Sequence, residues 1–166
     1  MAQFEKENIH IGSCNINYGG EDIGWVKGGV EISYEQKWGE FTPDSETAPV
    51  KDWLIEEGIT VKVPMSETNW ENLNRVLSIA TALPVGIPTH LEFGGKESAR
   101  NGTEPTKQLI ITPDDGGKII TIYKARMKSN VVFKHSKESE NTIEVIFAGL
   151  SDTTKSKGSK LWKLGS

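Results

Sequence analysis

The chain has 166 residues, 36% of them hydrophobic and 25% charged, with a formal net charge of −4. That length suits one domain able to bury roughly two-thirds of its unfolded surface. No run approaches the roughly 20 apolar residues of a membrane helix, the opening MAQFEKENIH has no apolar segment of the signal-peptide kind, and the single Cys14 excludes an intrachain disulfide. The charge is uneven: after Asp152 the chain carries Lys155, Lys157, Lys160 and Lys163 and no acid. Removing those four lysines from 19 leaves 15 basic residues against 23 acidic ones, a body of about −8 that repels nucleic acid.

In chain order, the first signal is NINYGGEDIGWVKGGVEISYEQ, Asn15 to Gln36, with two glycine pairs between alternating runs. Glycine reaches positive φ without a Cβ clash, so both pairs predict tight turns. Ile16 and Tyr18 alternate with Asn15 and Asn17, and Val30, Ile32 and Tyr34 with Glu31, Ser33 and Glu35. A short middle strand around Ile23 to Val26 would complete an antiparallel meander, whose last strand is apolar on one face and acidic on the other.

From Gly39 to Glu56 the sequence GEFTPDSETAPVKDWLIE fits no short connection. Pro43 and Pro49 resist pairing, and loops beyond roughly 12–15 residues are usually functional or disordered. Phe41, Val50, Trp53, Leu54 and Ile55 are out of place in a solvated loop. They bury either against their own domain or against a neighbouring subunit, and the residues do not decide which.

Ile59, Val61, Val63 and Met65 alternate with Thr60 and Lys62 in the clearest strand. Thr68 and Glu71 then form a capping-box pattern. It opens a helix over about 69–79, with Trp70, Leu73, Val76 and Leu77 inward and Asn72, Asn74 and Arg75 outward. Beyond Pro88 strands return at His90–Phe93. Leu109–Thr112 and Ile119–Tyr123 form a hairpin through Pro113-Asp114-Asp115-Gly116-Gly117, and further strands follow at Val131–Phe133 and Thr142–Phe147. Several runs are apolar on both faces, as central strands are. The expected fold is mainly β, a two-sheet antiparallel sandwich or flattened barrel with one flanking helix (about 69–79) and a long loop (39–56).

No catalytic motif appears. His10, His90 and His135 lie far apart without a second ligand type nearby, so no metal and no cofactor are expected. Cys14 sits in an alternating strand as a small core residue, and Asp114-Asp115 beside two glycines is turn chemistry. Five tryptophans, Trp25, Trp38, Trp53, Trp70 and Trp162, leave room for a carbohydrate-binding β-sandwich. Trp70 and Trp38 are already accounted for by apolar faces.

Taken in order, the opening meander, the long loop, ITVKVPMSETNWENLNRVL, LIITPDDGGKIITIYKA and IEVIFAGLSDTT with a terminal LWKLG resemble the major tail tube proteins of long-tailed, non-contractile phages over nearly the whole chain. The resemblance implies a structural, non-enzymatic virion tail protein synthesised in the host cytoplasm. It implies a single domain over 1–166, with a flexible N-terminus about 1–9 and a basic C-terminal segment about 152–166. It further implies hexameric rings that stack into a tube for double-stranded DNA. The partners would be other copies of the chain, a tape measure protein and tail terminator or baseplate proteins, with no membrane. On that reading Glu31, Ser33, Glu35 and Lys37 are lumen-facing, where a monomer would leave them a solvated face. The segment bearing Phe41, Val50, Trp53, Leu54 and Ile55 then bridges subunits or rings. A tube subunit of a contractile tail or injection system is the neighbouring alternative.

Overall fold

The computed structural model describes residues 13–24, 26–66, 69–77, 80–83, 90–94, 100–102, 105–128, 132–134 and 142–165. In chain order these form β1 (Cys14–Tyr18), β2 (Glu21–Asp22), β3 (Glu31–Phe41), β4 (Lys51–Met65), α1 (Trp70–Val76), β5 (Ala80–Leu83), β6 (His90–Phe93), β7 (Lys107–Pro113), β8 (Ile120–Met127), β9 (Val132–Lys134), β10 (Thr142–Leu150) and β11 (Trp162–Leu164). The mainly β class with a single helix among the described residues is as the sequence predicts.

In place of two packed sheets there is one nine-stranded antiparallel sheet along the path β2-β1-β7-β8-β10-β4-β3, and β5 and β6 pair separately. Strand β11 joins β8 at Ile120–Ile122, and β9 joins β10 at Thr142–Glu144. The sheet is rolled. Tyr18 of β1 and Phe147 of β10 are three strands apart along the path, which in a flat sheet separates them by about 14 Å. Their ring centroids lie 4.9 Å apart. Inside the roll sit Ile16, Tyr18, Ile59, Val61, Val63, Met65, Val145 and Phe147, all but inaccessible to solvent. Each belongs to one parity of its strand, as the alternation requires.

Strand β4 lies between β10 and β3, with Val63 opposite Val145 and Val61 opposite both Phe147 and Ile32. The PDDGG turn joins β7 to β8 as expected, and Asp115 accepts a hydrogen bond from the Gly117 amide at 3.1 Å. The predicted meander is not formed. The middle strand is β2, with Ile23 buried in the core and Val26 bridging Met65. Strands β1 and β3 therefore end on opposite sides of the sheet, β1 paired to the distant β7 and β3 to β4, the next strand in the chain.

The helix begins one residue later than the capping box predicts. Asn69, not Thr68, is the N-cap, accepting from the Asn72 amide at 2.8 Å; Thr68 lies outside the described residues. Leu73, Val76 and Leu77 are buried at helical spacing. Asn72, expected outward, is buried as well, and it accepts a hydrogen bond from Arg75, which also pairs with Glu21 at 2.8 Å. The predicted extension of the helix to Ile79 falls partly outside the described residues.

Gly149 tests the packing of the roll. A Cβ there would lie 2.5 Å from Cγ2 of Ile59 and 3.2 Å from Cγ2 of Ile122, whereas one on Gly58 would meet nothing within 4 Å. Gly149→Ala is expected to cost about 1–3 kcal/mol by overpacking. Gly58→Ala should cost nothing measurable. Equal midpoints for both variants in urea unfolding would show that the site is not tightly packed.

Candidate functional site

The predicted loop over 39–56 is instead the outer part of a hairpin. Strand β3 continues to Phe41 and β4 begins at Lys51, leaving a connection over 42–50 that is closed by the Val50 amide on the Phe41 carbonyl at 2.9 Å. Backbone pairing continues past the prolines because both fall within this turn. Most of the exposed large apolar residues among those described gather here, Phe93 and Leu164 apart: Phe41 is 54% exposed, Val50 58% and Ile55 56%, with Trp38, Trp53 and Leu54 close behind.

Their placement follows from the register. Ile32 opposite Val61 and Tyr34 opposite Ile59 define the core-side face. Between Lys37 and Trp38 the register shifts, because β4 carries one extra residue, Ile55. Without that bulge, strict alternation from Ile59 would put Ile55 and Trp53 on the core side. With it, both cover Gly39 on the opposite face, where a Cβ on Gly39 would meet Trp53 at 2.7 Å and Ile55 at 2.9 Å. Leu54 pairs with Trp38 on the core-side face. The hairpin end therefore carries large apolar side chains on both faces, and two strands alone give neither face a core to cover.

Glu31, Ser33, Glu35 and Lys37 lie together on the face turned away from the core, as the alternation predicts. That face is not uniformly acidic. Glu31 stands opposite Lys62 and Lys37 opposite Glu56. Lys62 also pairs with Glu144 of β10 at 3.3 Å, and Lys124 of β8, on the same face, reaches Asp152 at 3.1 Å. Lys62 meets Glu144 from a strand remote in sequence, so only the fold puts that pair together. Asp152 accepts from the hydroxyl and the amide of Thr154. These bonds, with Lys124 adding to them, hold its carboxyl below the usual carboxylate range.

The other candidates do not converge. Trp25, His10 and His135 fall outside the described residues. Among the described residues no three His, Cys, Asp or Glu side chains come together to hold a metal. Cys14 is half-buried against the core, and burial, with the Asp114 carboxylate beside it, raises its thiol pKa. Tyr34, expected in the core, is partly exposed. Its ring contacts Trp162, and its hydroxyl donates to Glu57 at 2.6 Å. The sequence carried one unused signal for the two-faced hairpin, namely three consecutive apolar residues, Trp53-Leu54-Ile55, within a run that otherwise alternates.

No protein-family model and no curated protein matches the chain. Solved structures do. A chain from the virion of a native gene transfer agent particle aligns over 99% of this chain and 100% of its own, with TM-score 0.53 at 12% identity. This chain has the fold of that virion component. Two others align more loosely. A chain in the tail of an empty gene transfer agent particle, refined helically with C6 symmetry, gives 0.48 at 14% identity over 90% of this chain and 95% of its own. Hcp1 from Flavobacterium johnsoniae gives 0.39 at 14% identity over 92% and 94%.

Two outcomes test the charges of the outward face. Lys62→Glu sets three carboxylates together and should destabilise the fold by about 1 kcal/mol at low salt, with the loss shrinking as ionic strength rises. A loss independent of salt would mean that Lys62 acts by packing. Asp152, depressed in the folded state, contributes stability above its ordinary pKa of about 4 and loses it as pH falls through the folded value. The gap in melting temperature between the parent and Asp152→Asn should therefore be widest near neutrality and close in acid. A gap that persists unchanged in acid would remove Asp152 ionisation as its cause.

Proposed function

We propose that the chain is the structural subunit of a phage-type tail tube. Copies associate into rings, six to a ring, and the rings stack into a hollow tube through which double-stranded DNA passes. The observation that carries this reading is the two-faced hairpin, whose large apolar side chains a single copy leaves in water and which burial between copies would cover. The whole-chain likeness in fold to a gene transfer agent virion component supports it.

In the tube, the outward sheet face with Glu31, Ser33, Glu35 and Lys37 lines the lumen. Its lysines face carboxylates, so the wall offers DNA few unneutralised cations to hold. The tape measure protein and the terminator or baseplate proteins would be its other partners, the virion tail its location, and no step of catalysis is assigned to it. A carbohydrate-binding module fits the surface less well, because Trp38 and Trp53 lie on opposite faces of the hairpin and form no common platform.

Purified protein at high concentration should form rings or tubes under negative-stain microscopy. Trp53→Ser with Ile55→Ser should leave a folded monomer, since exposed positions usually change stability by under about 0.5 kcal/mol. A variant that still polymerises like the parent would show that the hairpin is not the bridge. Glu31→Lys with Glu35→Lys should leave assembly intact and make the tubes retain DNA. Normal DNA passage through such tubes would exclude this face as the governing wall.

A further inference from the structure

The turn of the hairpin has a counterpart at the far end of the same strand. Between the segment over 26–32 and the ends of β1, β7 and β8 lies a groove of about 460 Å³. Its sides are Cys14, Val26, Val30, Ile32 and Ile120, all half-buried, with Ile111 buried at its floor. Gly28 and Gly29, at φ of +90° and +87°, give one wall of bare backbone, where an added Cβ would meet nothing within 4 Å. Polar side chains are few: the Ser13 hydroxyl is donated to Asp114, and Asp115 accepts from the Gly117 amide. Small-molecule sites usually add several convergent polar groups to an apolar lining. This groove is better suited to apolar side chains presented by another chain.

We propose that the hairpin end of one copy, led by Phe41 and Val50, docks in this groove of the next copy. The inference rests on the self-assembly reading above and names the surface that receives the hairpin. Three observations select a second copy as the occupant. Phe41 and Val50 are exposed, apolar and joined by a backbone hydrogen bond, so they enter as a unit. Lys51 follows Val50 directly and is exposed, as is Asp115 at the groove, which gives opposite charges to the two sides of the contact. Strand β3 itself runs from Ile32 in the groove to Phe41 at the hairpin end, about 30 Å of extended chain. A copy therefore cannot fill its own groove. Donor and acceptor at opposite ends of one strand make a heterologous contact, which repeats from copy to copy instead of closing as a symmetric dimer.

Cys14, the sole cysteine, is a built-in probe of the groove. Val50→Cys adds a thiol at the hairpin end, and assembled protein is oxidised near pH 9, because the Cys14 thiol titrates above the usual range. A ladder of linked dimers, trimers and longer species is expected on a non-reducing gel, lost on reduction and absent when Cys14→Ser is added. A second pair, Val50→Cys with Val30→Cys in the Cys14→Ser background, should give the same ladder and covers the case in which the Cys14 thiol points away. Dimers alone that survive Cys14→Ser would mean hairpin-to-hairpin contact and overturn the proposal, as would a link within one copy. Rings or tubes without a ladder from either pair would overturn the docking and leave the tube reading standing. Protein that stays monomeric at every concentration would overturn both.

Discussion

Strand β4 is longer than the core it covers, and the rest of the structure depends on that mismatch. Fifteen residues of strand span about 50 Å, yet only the half from Ile59 to Met65 lies over buried neighbours. That half is held on one side by β10, through Val145 and Phe147, and on the other by β3. Because β3 stays in register with β4 through the body, it is carried outward with it. The pair leaves the domain as a ribbon with no third strand. A two-stranded hairpin is marginal in water by itself, so the ribbon relies on the anchored half for its order, and its large apolar side chains stay exposed in the single chain.

The extra residue at Ile55 decides what that outside surface meets. A plain continuation of alternation would have put Trp53 and Ile55 on the core-side face with Trp38, leaving Leu54 and Phe41 on the other. The bulge moves Trp53 and Ile55 over Gly39 and leaves Trp38 with Leu54 behind them. Gly39 permits this because a side chain there would occupy the space they fill. A hairpin apolar on one face suits a single flat neighbour. One apolar on both faces suits insertion between surfaces, which is how a repeated assembly holds its subunits in two directions at once.

The charges on the outward sheet face obey the same pairing. Lys62 lies between Glu31 on one neighbour and Glu144 on the other, and β4 brings it there only because β10 and β3 flank that strand. The negative balance of the body is thus not concentrated on this face. Lysines and carboxylates alternate across this face, so it presents mixed charges instead of a field of one sign.

Local chemistry determined much of this protein. Alternation at Ile59–Met65 and Ile32–Tyr34 named those strands and, Tyr34 apart, their inward residues, an apolar run named the strand at Thr142–Phe147, the PDDGG turn named a hairpin, and Leu73, Val76 and Leu77 named the helix face. These signals need only neighbours a few residues away. The opposition of Glu31 and Glu35 to the core side was legible for the same reason, since side chains on a strand alternate whatever the partner. Tertiary structure decided which strands meet, and hence that β1 and β3 stand at opposite ends of one rolled sheet. It decided as well that prolines Pro43 and Pro49 mark a turn instead of a long loop, because β3 and β4 pair beyond the core only when their inner halves are already fixed side by side. The Ile55 bulge, the Lys62–Glu144 pair and the groove at Cys14 each join residues remote in the chain. No local period encodes such contacts, so they emerge only once the sheet has rolled.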